Sequence, residues 1–234
     1  MGHLLSGTWS DDEQLVEHDR NGAYVKRPSQ FRNWVTADGS AGPTGEAGFD
    51  AQAGRYVLYA AISCPWAHRA VLYRTLKKLE NIVALFDTEQ YVGGQGWGFG
   101  EAGHRVPGAG LNVRWLHEIY TLSDPDCTTR VTVPTLWDTR TKTVVSNESS
   151  EIIRMFDTAF ADIAPPTPVL CPDDLRDEID SMNKFVLENI NNGVNRCGRS
   201  TSQSAYDEAF EKLFDALDAL EERLGRQRYL IGNT

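Results

Sequence analysis

The sequence predicts an α/β domain followed by an all-α domain. Three observations indicate this order: a strand–helix–strand pattern over residues 55–86, a proline-rich break at 164–168, and helical periodicity beyond 173. We therefore expect four regions, which are an N-terminal arm (1–53), an α/β domain (54–157), a linker (158–172) and a helical domain (173–234).

The N-terminal arm is polar and interrupted by several glycines, so we expect little regular structure in it. Two aromatic residues stand out in this polar segment, Phe31 and Trp34. We expect them to anchor the arm on the core.

The strand–helix–strand pattern begins at residue 55, where a β-branched and aromatic run predicts a strand over 55–61. A helix is predicted over 66–79, where apolar residues recur at helical spacing, namely Ala67, Val71, Leu72, Leu76 and Leu79. The apolar run 82–86 is typical of a buried parallel strand. Together these elements form a βαβ unit, whose crossover is almost always right-handed.

The rest of the chain predicts a loop with eight glycines, two further strands and several helices. The expected elements are a loop over 87–112, a short helix over 113–122, a hairpin of 130–137 with 143–145, and helices over 148–157, 173–191 and 203–224. In the last helix the predicted buried face consists of Phe210, Leu213, Leu217, Leu220 and Leu224.

Composition excludes some classes of partner. The chain has 23 Lys and Arg against 33 Asp and Glu, a net charge of −10, which argues against nucleic acid and anionic membranes. No apolar run approaches the roughly 20 residues that cross a bilayer, and the first 20 residues lack a signal-peptide pattern. The four cysteines are scattered without metal-type spacing, so we expect reduced thiols, a cytoplasmic protein and no bound metal.

Cys64 is the main candidate for chemistry. It follows a predicted strand and precedes Pro65, a residue suited to the first position of a helix. A sulfur there faces unpaired backbone amides and the positive end of the helix dipole, which favour thiolate over thiol. The position of a second thiol in a Cys-x-x-Cys pair holds Ala67, so an external thiol such as glutathione must resolve a mixed disulfide. The alternative is a buried, inert cysteine.

Two further segments carry weaker signals. Pro134 interrupts a strand-like run, which indicates either an edge strand or a cis bend that leaves the backbone of Val133 free to pair with a peptide. In the segment 146–150, Glu148 and Ser149 combine a carboxylate, a hydroxyl and helix-start amides that suit a γ-glutamyl group. When that segment is taken alone, plain helix capping is the favoured explanation.

These three markers, in this order, resemble the N-terminal domain of a glutathione transferase. Longer matches resemble the glutathionyl-hydroquinone reductases, or Xi-class transferases, and they lie at 63–69, 96–99, 124–125, 130–138, 146–156, 178–180 and 191–194. The resemblance implies a thioredoxin-like glutathione-binding domain, a helical bundle and a homodimer. It also implies a nucleophile (Cys64), a residue that stacks on glutathione (Trp97), a cysteinyl-backbone partner (Val133), a structural cis-proline (Pro134) and two γ-glutamyl ligands (Glu148 and Ser149).

The implied reaction is glutathione-dependent reduction of glutathionyl-hydroquinones through a mixed disulfide on Cys64 that a second glutathione resolves. Two alternatives stay open. One is an omega-like deglutathionylase or dehydroascorbate reductase, because those transferases also use a single cysteine. The other is a non-catalytic protein that only binds glutathione or serves as a dimer scaffold.

The sequence departs from the family pattern in two ways. Asn195 stands where the family usually has a tyrosine, and Cys197, Arg199, Cys127 and Thr129 also differ from the usual residues, which bears on the choice of quinone. The family continues beyond the position of Thr234, so we expect this chain to be a piece of a longer protein, with exposed apolar faces on its helices. As an isolated polypeptide we expect it to be poorly stable or inactive.

Overall fold

The computed structural model describes residues 2–11, 17–26, 28–89 and 94–232. Parts of the predicted arm (residues 1, 12–16 and 27), part of the glycine-rich loop (90–93) and the last two residues lie outside the described residues. The chain forms two compact units. The first is Met1–Glu13 with Ser29–Val169, and the second is Gln14–Pro28 with Leu170–Thr234.

A four-stranded sheet forms the centre of the first unit. The strands of this unit are His3–Leu5 (β1), Thr8–Ser10 (β2), Tyr56–Ala60 (β3), Val83–Asp87 (β4), His104–Arg105 (β5), Asn112–Val113 (β6), Thr129–Arg130 (β7), Thr135–Asp138 (β8) and Thr143–Ser146 (β9). The central sheet has the order β4-β3-β8-β9, with β4 parallel to β3 and the other pairs antiparallel. All five residues of β3 are buried, so the core lies around this strand.

Three helices accompany the sheet, namely Pro65–Leu76 (α1), Leu116–Ser123 (α2) and Ser149–Thr158 (α3). The predicted strand–helix–strand unit is confirmed, because α1 connects β3 to the parallel strand β4. The predicted burial of the second strand is wrong: β4 is an edge strand, and only its first residue, Val83, is buried. A strand paired on one side alone needs no continuous buried face.

The buried residues of α1 coincide only in part with the apolar residues that recur at helical spacing. Ala67, Ala70 and Arg74 are buried, whereas Leu72 and Leu76 are 48% and 58% exposed. Small alanines let the helix approach its neighbours closely. Arg74 is accommodated because its guanidinium donates hydrogen bonds to the carbonyls of Val83 (2.6 Å) and Glu80 (3.0 Å).

The N-terminal arm has more structure than predicted. Strands β1 and β2 form an antiparallel hairpin that also pairs with β7. Farther along, residues 31–33 extend the central sheet beside β9, through hydrogen bonds of Asn33 N to Val145 O and of Asn147 N to Phe31 O. Phe31 and Trp34 pack against the core, as predicted. Composition did not reveal the pairings with β7 and β9, because those partners lie more than 100 residues away along the chain.

Three predicted boundaries also change. The predicted strand 130–137 is divided, since Thr129–Arg130 pairs with β1 and only Thr135–Asp138 forms the hairpin with β9. Helix α2 begins at Leu116 rather than 113, because Val113 belongs to the β5–β6 hairpin. Helix α3 begins at Ser149, and Glu148 is its N-cap.

The second unit is helical. Its α-helices are Arg176–Val186 (α4), Asn192–Arg199 (α5) and Gln203–Leu224 (α6), with a 3-10 turn at Asp173–Leu175 and a π-helical segment at Leu187–Asn191. The predicted buried face of α6 is mostly wrong. Leu213 is buried together with Ala205, Ala209 and Ala216, whereas three predicted residues are exposed, namely Phe210, Leu217 and Leu224.

Close packing explains the rotated face of α6. A Cβ atom added to the buried Gly193 of α5 would lie 3.4 Å from the Leu213 side chain, so the two helices approach closely at this point. A stripe of small residues permits that approach, and the larger aromatic side chains Phe210 and Phe214 lie on the neighbouring, more exposed face. None of the described helices combines the length and apolar character that crossing a bilayer requires.

Candidate active site

Cys64 lies at the start of helix α1, where the sequence predicted it. It is the N-cap residue with extended backbone angles, and Pro65 is the first helical residue. The Cys64 side chain makes no capping hydrogen bond, so its sulfur is available near the first-turn amides. The thiol is half-buried and can donate a weak hydrogen bond to the Val133 carbonyl, at an Sγ–O distance of 3.6 Å.

Val133 supplies the backbone that faces the sulfur. The peptide bond between Val133 and Pro134 is cis, and the strand β8 begins immediately afterwards at Thr135. The Val133 side chain is buried, while its carbonyl oxygen points towards Cys64. A peptide thiol that paired with this backbone segment would therefore lie next to the Cys64 sulfur.

Glu148 and Ser149 form the start of helix α3. The Glu148 carboxylate accepts hydrogen bonds from the Ser150 amide (3.2 Å) and the Ser150 hydroxyl (2.9 Å), so it caps the helix. The Ser149 hydroxyl is buried and accepts two hydrogen bonds from Arg69, at 3.1 and 2.7 Å. A carboxylate beside helix-start amides and a cation provides partners for both charges of an amino-acid group.

Arg69 joins the two helix starts, a role that the sequence did not reveal. Its guanidinium contacts Ser149, lies 3.9 Å from the Glu148 carboxylate and covers the ring of Trp66. Burial lowers the pKa of Arg69, an effect that the nearby carboxylate of Glu148 opposes. Because Arg69 and Cys64 share helix α1, this contact fixes the position of the sulfur relative to α3.

The N-terminal arm contributes Ser29 to the same site. Its hydroxyl donates a hydrogen bond of 3.0 Å to the second carboxylate oxygen of Glu148. Arg32 forms an ion pair with Glu151, one turn farther along α3. No sequence signal could have identified Ser29, because 119 positions separate it from Glu148.

Trp97 lies in the glycine-rich loop and packs partly against the core. Its carbonyl accepts the amide of Leu116, and the following residue, Gly98, bridges to Glu89 and to Trp115. The loop is therefore tied to the start of α2. The contacts described above, from Cys64 to Val133 and from Arg69 to Ser149 and Glu148, do not run through Trp97.

The other three cysteines lie in different surroundings. Burial raises the pKa of the Cys127 thiol to about 11, and burial also raises that of Cys197. Cys171 is buried, and the four cysteines, all of which lie in the described ranges, form no disulfide bond. Within the described ranges, no group of three or more His, Cys, Asp or Glu side chains is arranged to hold a metal ion.

Comparison with known proteins assigns the chain to a family. The family model "Glutathione S-transferase, N-terminal domain" matches residues 63–159. Glutathionyl-hydroquinone reductase YqjG of Escherichia coli is 43% identical over 100% of this chain and 71% of its own length. Glutathionyl-hydroquinone reductase PcpF of Sphingobium chlorophenolicum is 41% identical, again over 100% of this chain and 71% of its own length.

Solved structures agree with these sequence matches. The glutathione-bound structure of YqjG matches with a TM-score of 0.85 and 40% identity, over 100% of this chain and 70% of that chain. The Xi transferase of Phanerochaete chrysosporium matches with a TM-score of 0.84 and 38% identity, over 96% of this chain and 71% of that chain. The fold is thus the predicted thioredoxin-like domain followed by a helical domain. This chain belongs to the glutathionyl-hydroquinone reductase family, the Xi class of glutathione transferases.

Proposed function

We propose that this protein reduces glutathionyl-hydroquinones to hydroquinones with glutathione, using Cys64 as the nucleophile. The observation that carries the proposal is the Cys64 sulfur at the start of α1, 3.6 Å from the carbonyl that precedes the cis-proline Pro134. The relatives named glutathionyl-hydroquinone reductase share at least 41% of their aligned residues with this chain.

Glutathione binding would use both helix starts. The cysteinyl backbone of glutathione pairs with Val133, and its γ-glutamyl end meets Glu148 and Ser149, with Trp97 stacked on the tripeptide. The Glu148 carboxylate would bind the ammonium group. Because Arg69 holds the Ser149 hydroxyl, that hydroxyl and the first amides of α3 can receive the carboxylate.

The first chemical step transfers the glutathionyl group. The Cys64 thiolate attacks the glutathionyl sulfur and forms a disulfide bond, and the bond between that sulfur and the ring carbon breaks. The ring carbon keeps the electron pair and takes up a proton, so the hydroquinone is reduced while Cys64 is oxidised. The amides of α1 favour this step by stabilising the thiolate.

The second step restores the enzyme. A second glutathione, as its thiolate, attacks the glutathionyl sulfur of the mixed disulfide. Cys64 leaves as a thiolate and oxidised glutathione is released, so no second protein thiol is needed. The helix start assists this step as well, because it makes Cys64 a good leaving group.

Comparing two substrates tests the proposal. With glutathione present, we expect the protein to turn over glutathionyl-menadiol at least about tenfold faster than dehydroascorbate, in terms of kcat/KM. Cys64→Ala should abolish the reaction, whereas Cys197→Ala should retain it. Faster reduction of dehydroascorbate would favour the omega-like alternative. Glutathione binding without turnover of either substrate would favour a non-catalytic protein.

We also propose that residues 54–157 form the glutathione-binding domain. The protein takes glutathione as co-substrate and uses no metal. It is a cytoplasmic homodimer. The family resemblance supports the dimer, and four cysteines that form no disulfide bond suit a reducing compartment. Light scattering after size-exclusion chromatography measures the molar mass. A value near 52 kDa, twice the 26.1 kDa of the chain, is expected for the dimer.

A further inference from the structure

The buried hydroxyl of Tyr120 joins the two segments that the proposed function assigns to glutathione. Tyr120 lies on α2 and has no exposed surface. Its hydroxyl lies 2.9 Å from the Thr132 carbonyl and 2.9 Å from the Thr135 hydroxyl. The Thr135 hydroxyl in turn donates to the Thr132 carbonyl at 2.7 Å. These contacts bracket Val133 and Pro134 on both sides.

The same hydroxyl also holds the residue before Glu148. Asn147 Nδ2 donates a hydrogen bond of 3.2 Å to the Tyr120 hydroxyl and approaches Thr132 Oγ1 at 3.4 Å. In the described part of the chain, the buried Oδ1 atom of Asn147 has no hydrogen-bond partner. The Asn147 side chain is therefore held through its Nδ2 atom, and the shorter of the two contacts is the one with Tyr120.

A tyrosine hydroxyl has one hydrogen to donate and lone pairs that accept. Here it donates towards Thr132 or Thr135 and accepts from Asn147, so one oxygen fixes both segments. Burial raises the pKa of Tyr120, so the hydroxyl stays protonated and neutral at physiological pH. The ring packs edge-on against Phe31 at 5.4 Å, and replacing tyrosine by phenylalanine would preserve this packing.

We propose that Tyr120 is a positioning residue that sets the separation between Val133, which receives the cysteinyl part of glutathione, and Glu148 with Ser149, which receive the γ-glutamyl end. This inference rests on the proposed function. Without the Tyr120 hydroxyl, the Thr132–Pro134 segment and Asn147 lose the hydrogen-bond partner that they share. Both ends of the glutathione site then lose a common hydrogen-bond partner, although the Tyr120 hydroxyl makes its own hydrogen bonds to Thr132, Thr135 and Asn147 and not to Cys64.

The test compares Tyr120→Phe with Tyr56→Phe. Tyr56 is a suitable control because it is equally buried and its hydroxyl also makes a hydrogen bond, 2.8 Å to the Asp50 carbonyl, but on β3 away from this network. Isothermal titration measures the Kd for glutathione. Rapid-quench mass spectrometry, at increasing concentrations of glutathionyl-menadiol, measures the half-saturation concentration and the maximal rate of mixed-disulfide formation on Cys64.

We expect Tyr120→Phe to raise both the glutathione Kd and the half-saturation concentration about tenfold, with the maximal rate changed by less than about twofold. Tyr56→Phe should leave all three values unchanged. A purely structural role for Tyr120 predicts equal behaviour of the two variants after correction for folded fraction. That result would overturn the inference.

A second variant keeps the inference testable if Tyr120→Phe does not fold. Thr135→Val removes the hydroxyl that donates to the Thr132 carbonyl, and it should raise the glutathione Kd about threefold without changing the maximal rate. An unchanged Kd in this variant would contradict the inference. If the unmodified protein binds glutathione but forms no mixed disulfide, the proposed function fails while the Kd comparison still decides the role of Tyr120. If it does not bind glutathione at all, both proposals fail.

Discussion

The buried ion pair between Arg55 and Asp138 allows a quantitative prediction about the stability of the first unit. Asp138 is fully buried and accepts two hydrogen bonds from the Arg55 guanidinium, at 2.9 and 2.7 Å. It accepts two more, from the Arg140 amide (2.9 Å) and the Thr141 hydroxyl (2.8 Å). Asp138→Asn preserves the shape but removes the charge and turns one acceptor oxygen into a donor that faces Arg55.

Breaking a buried pair by removing one partner costs about 3–5 kcal/mol, because the remaining charge is left uncompensated. Arg55 keeps a second carboxylate, Asp50, so we expect the lower end, about 3 kcal/mol. With a urea m-value of about 2 kcal/mol/M, the unfolding midpoint should fall by about 1.5 M. Circular dichroism and tryptophan fluorescence follow the transition.

The pH dependence gives an independent check. Burial acts to raise the pKa of Asp138, but the hydrogen bonds from Arg55, Arg140 and Thr141 outweigh it and hold the pKa below its ordinary value. A lowered native pKa stabilises the protein above the unfolded value of about 3.9, and this stabilisation is lost as the pH falls through the native pKa. Below about pH 4, the unmodified protein should therefore lose more stability than Asp138→Asn does.

The control is Asp173→Asn, which removes an ion pair with Arg176 on the surface, where the Asp173 side chain is 90% exposed. We expect no measurable shift of the midpoint for this variant. A shift below about 0.3 M for Asp138→Asn, or one equal to that of the control, would refute the reasoning about the buried pair.

Two further predictions concern the cysteines and helix α6. Iodoacetamide at neutral pH should label Cys64 first and Cys127 last, because burial raises the pKa of the Cys127 thiol to about 11. Peptide mapping measures the order of labelling. Early labelling of Cys127 would contradict the prediction. Leu213→Ala should lower the free energy of unfolding of the helical unit by about 2–3 kcal/mol, because Leu213 is only 9% exposed. Phe214→Ala should lower it by less than about 1 kcal/mol, because Phe214 is 46% exposed. Urea titration followed by circular dichroism compares them, and equal costs would disprove the observed orientation of α6.

Local patterns in the sequence predicted the elements that depend on local chemistry. The run before Cys64 and Pro65 predicts a strand followed by a helix start, and both are found. The segment at Glu148 likewise predicts a helix start, displaced by only one residue. These predictions succeed because a proline at the first helical position and a capping carboxylate act within one turn of the chain.

Features that depend on distant contacts were not predictable in this way. Helical periodicity identified the apolar residues of α6 but not which stripe is buried, because the close approach at Gly193 selects the alanines instead of Phe210. Likewise, Ser29 and Arg69 reach Glu148 and Ser149 only through tertiary structure. The roles of Cys64, Trp97, Val133, Glu148 and Ser149 in glutathione chemistry remain predictions.

Intact-mass spectrometry after exposure to glutathionyl-menadiol, in the absence of free glutathione, tests the central claim most directly. We predict that the protein gains the mass of one glutathionyl group, that the adduct maps to Cys64, and that adding glutathione removes it. No adduct should form in Cys64→Ala. An unmodified protein after prolonged exposure, or an adduct that persists in Cys64→Ala, would contradict the assignment of Cys64 as the nucleophile.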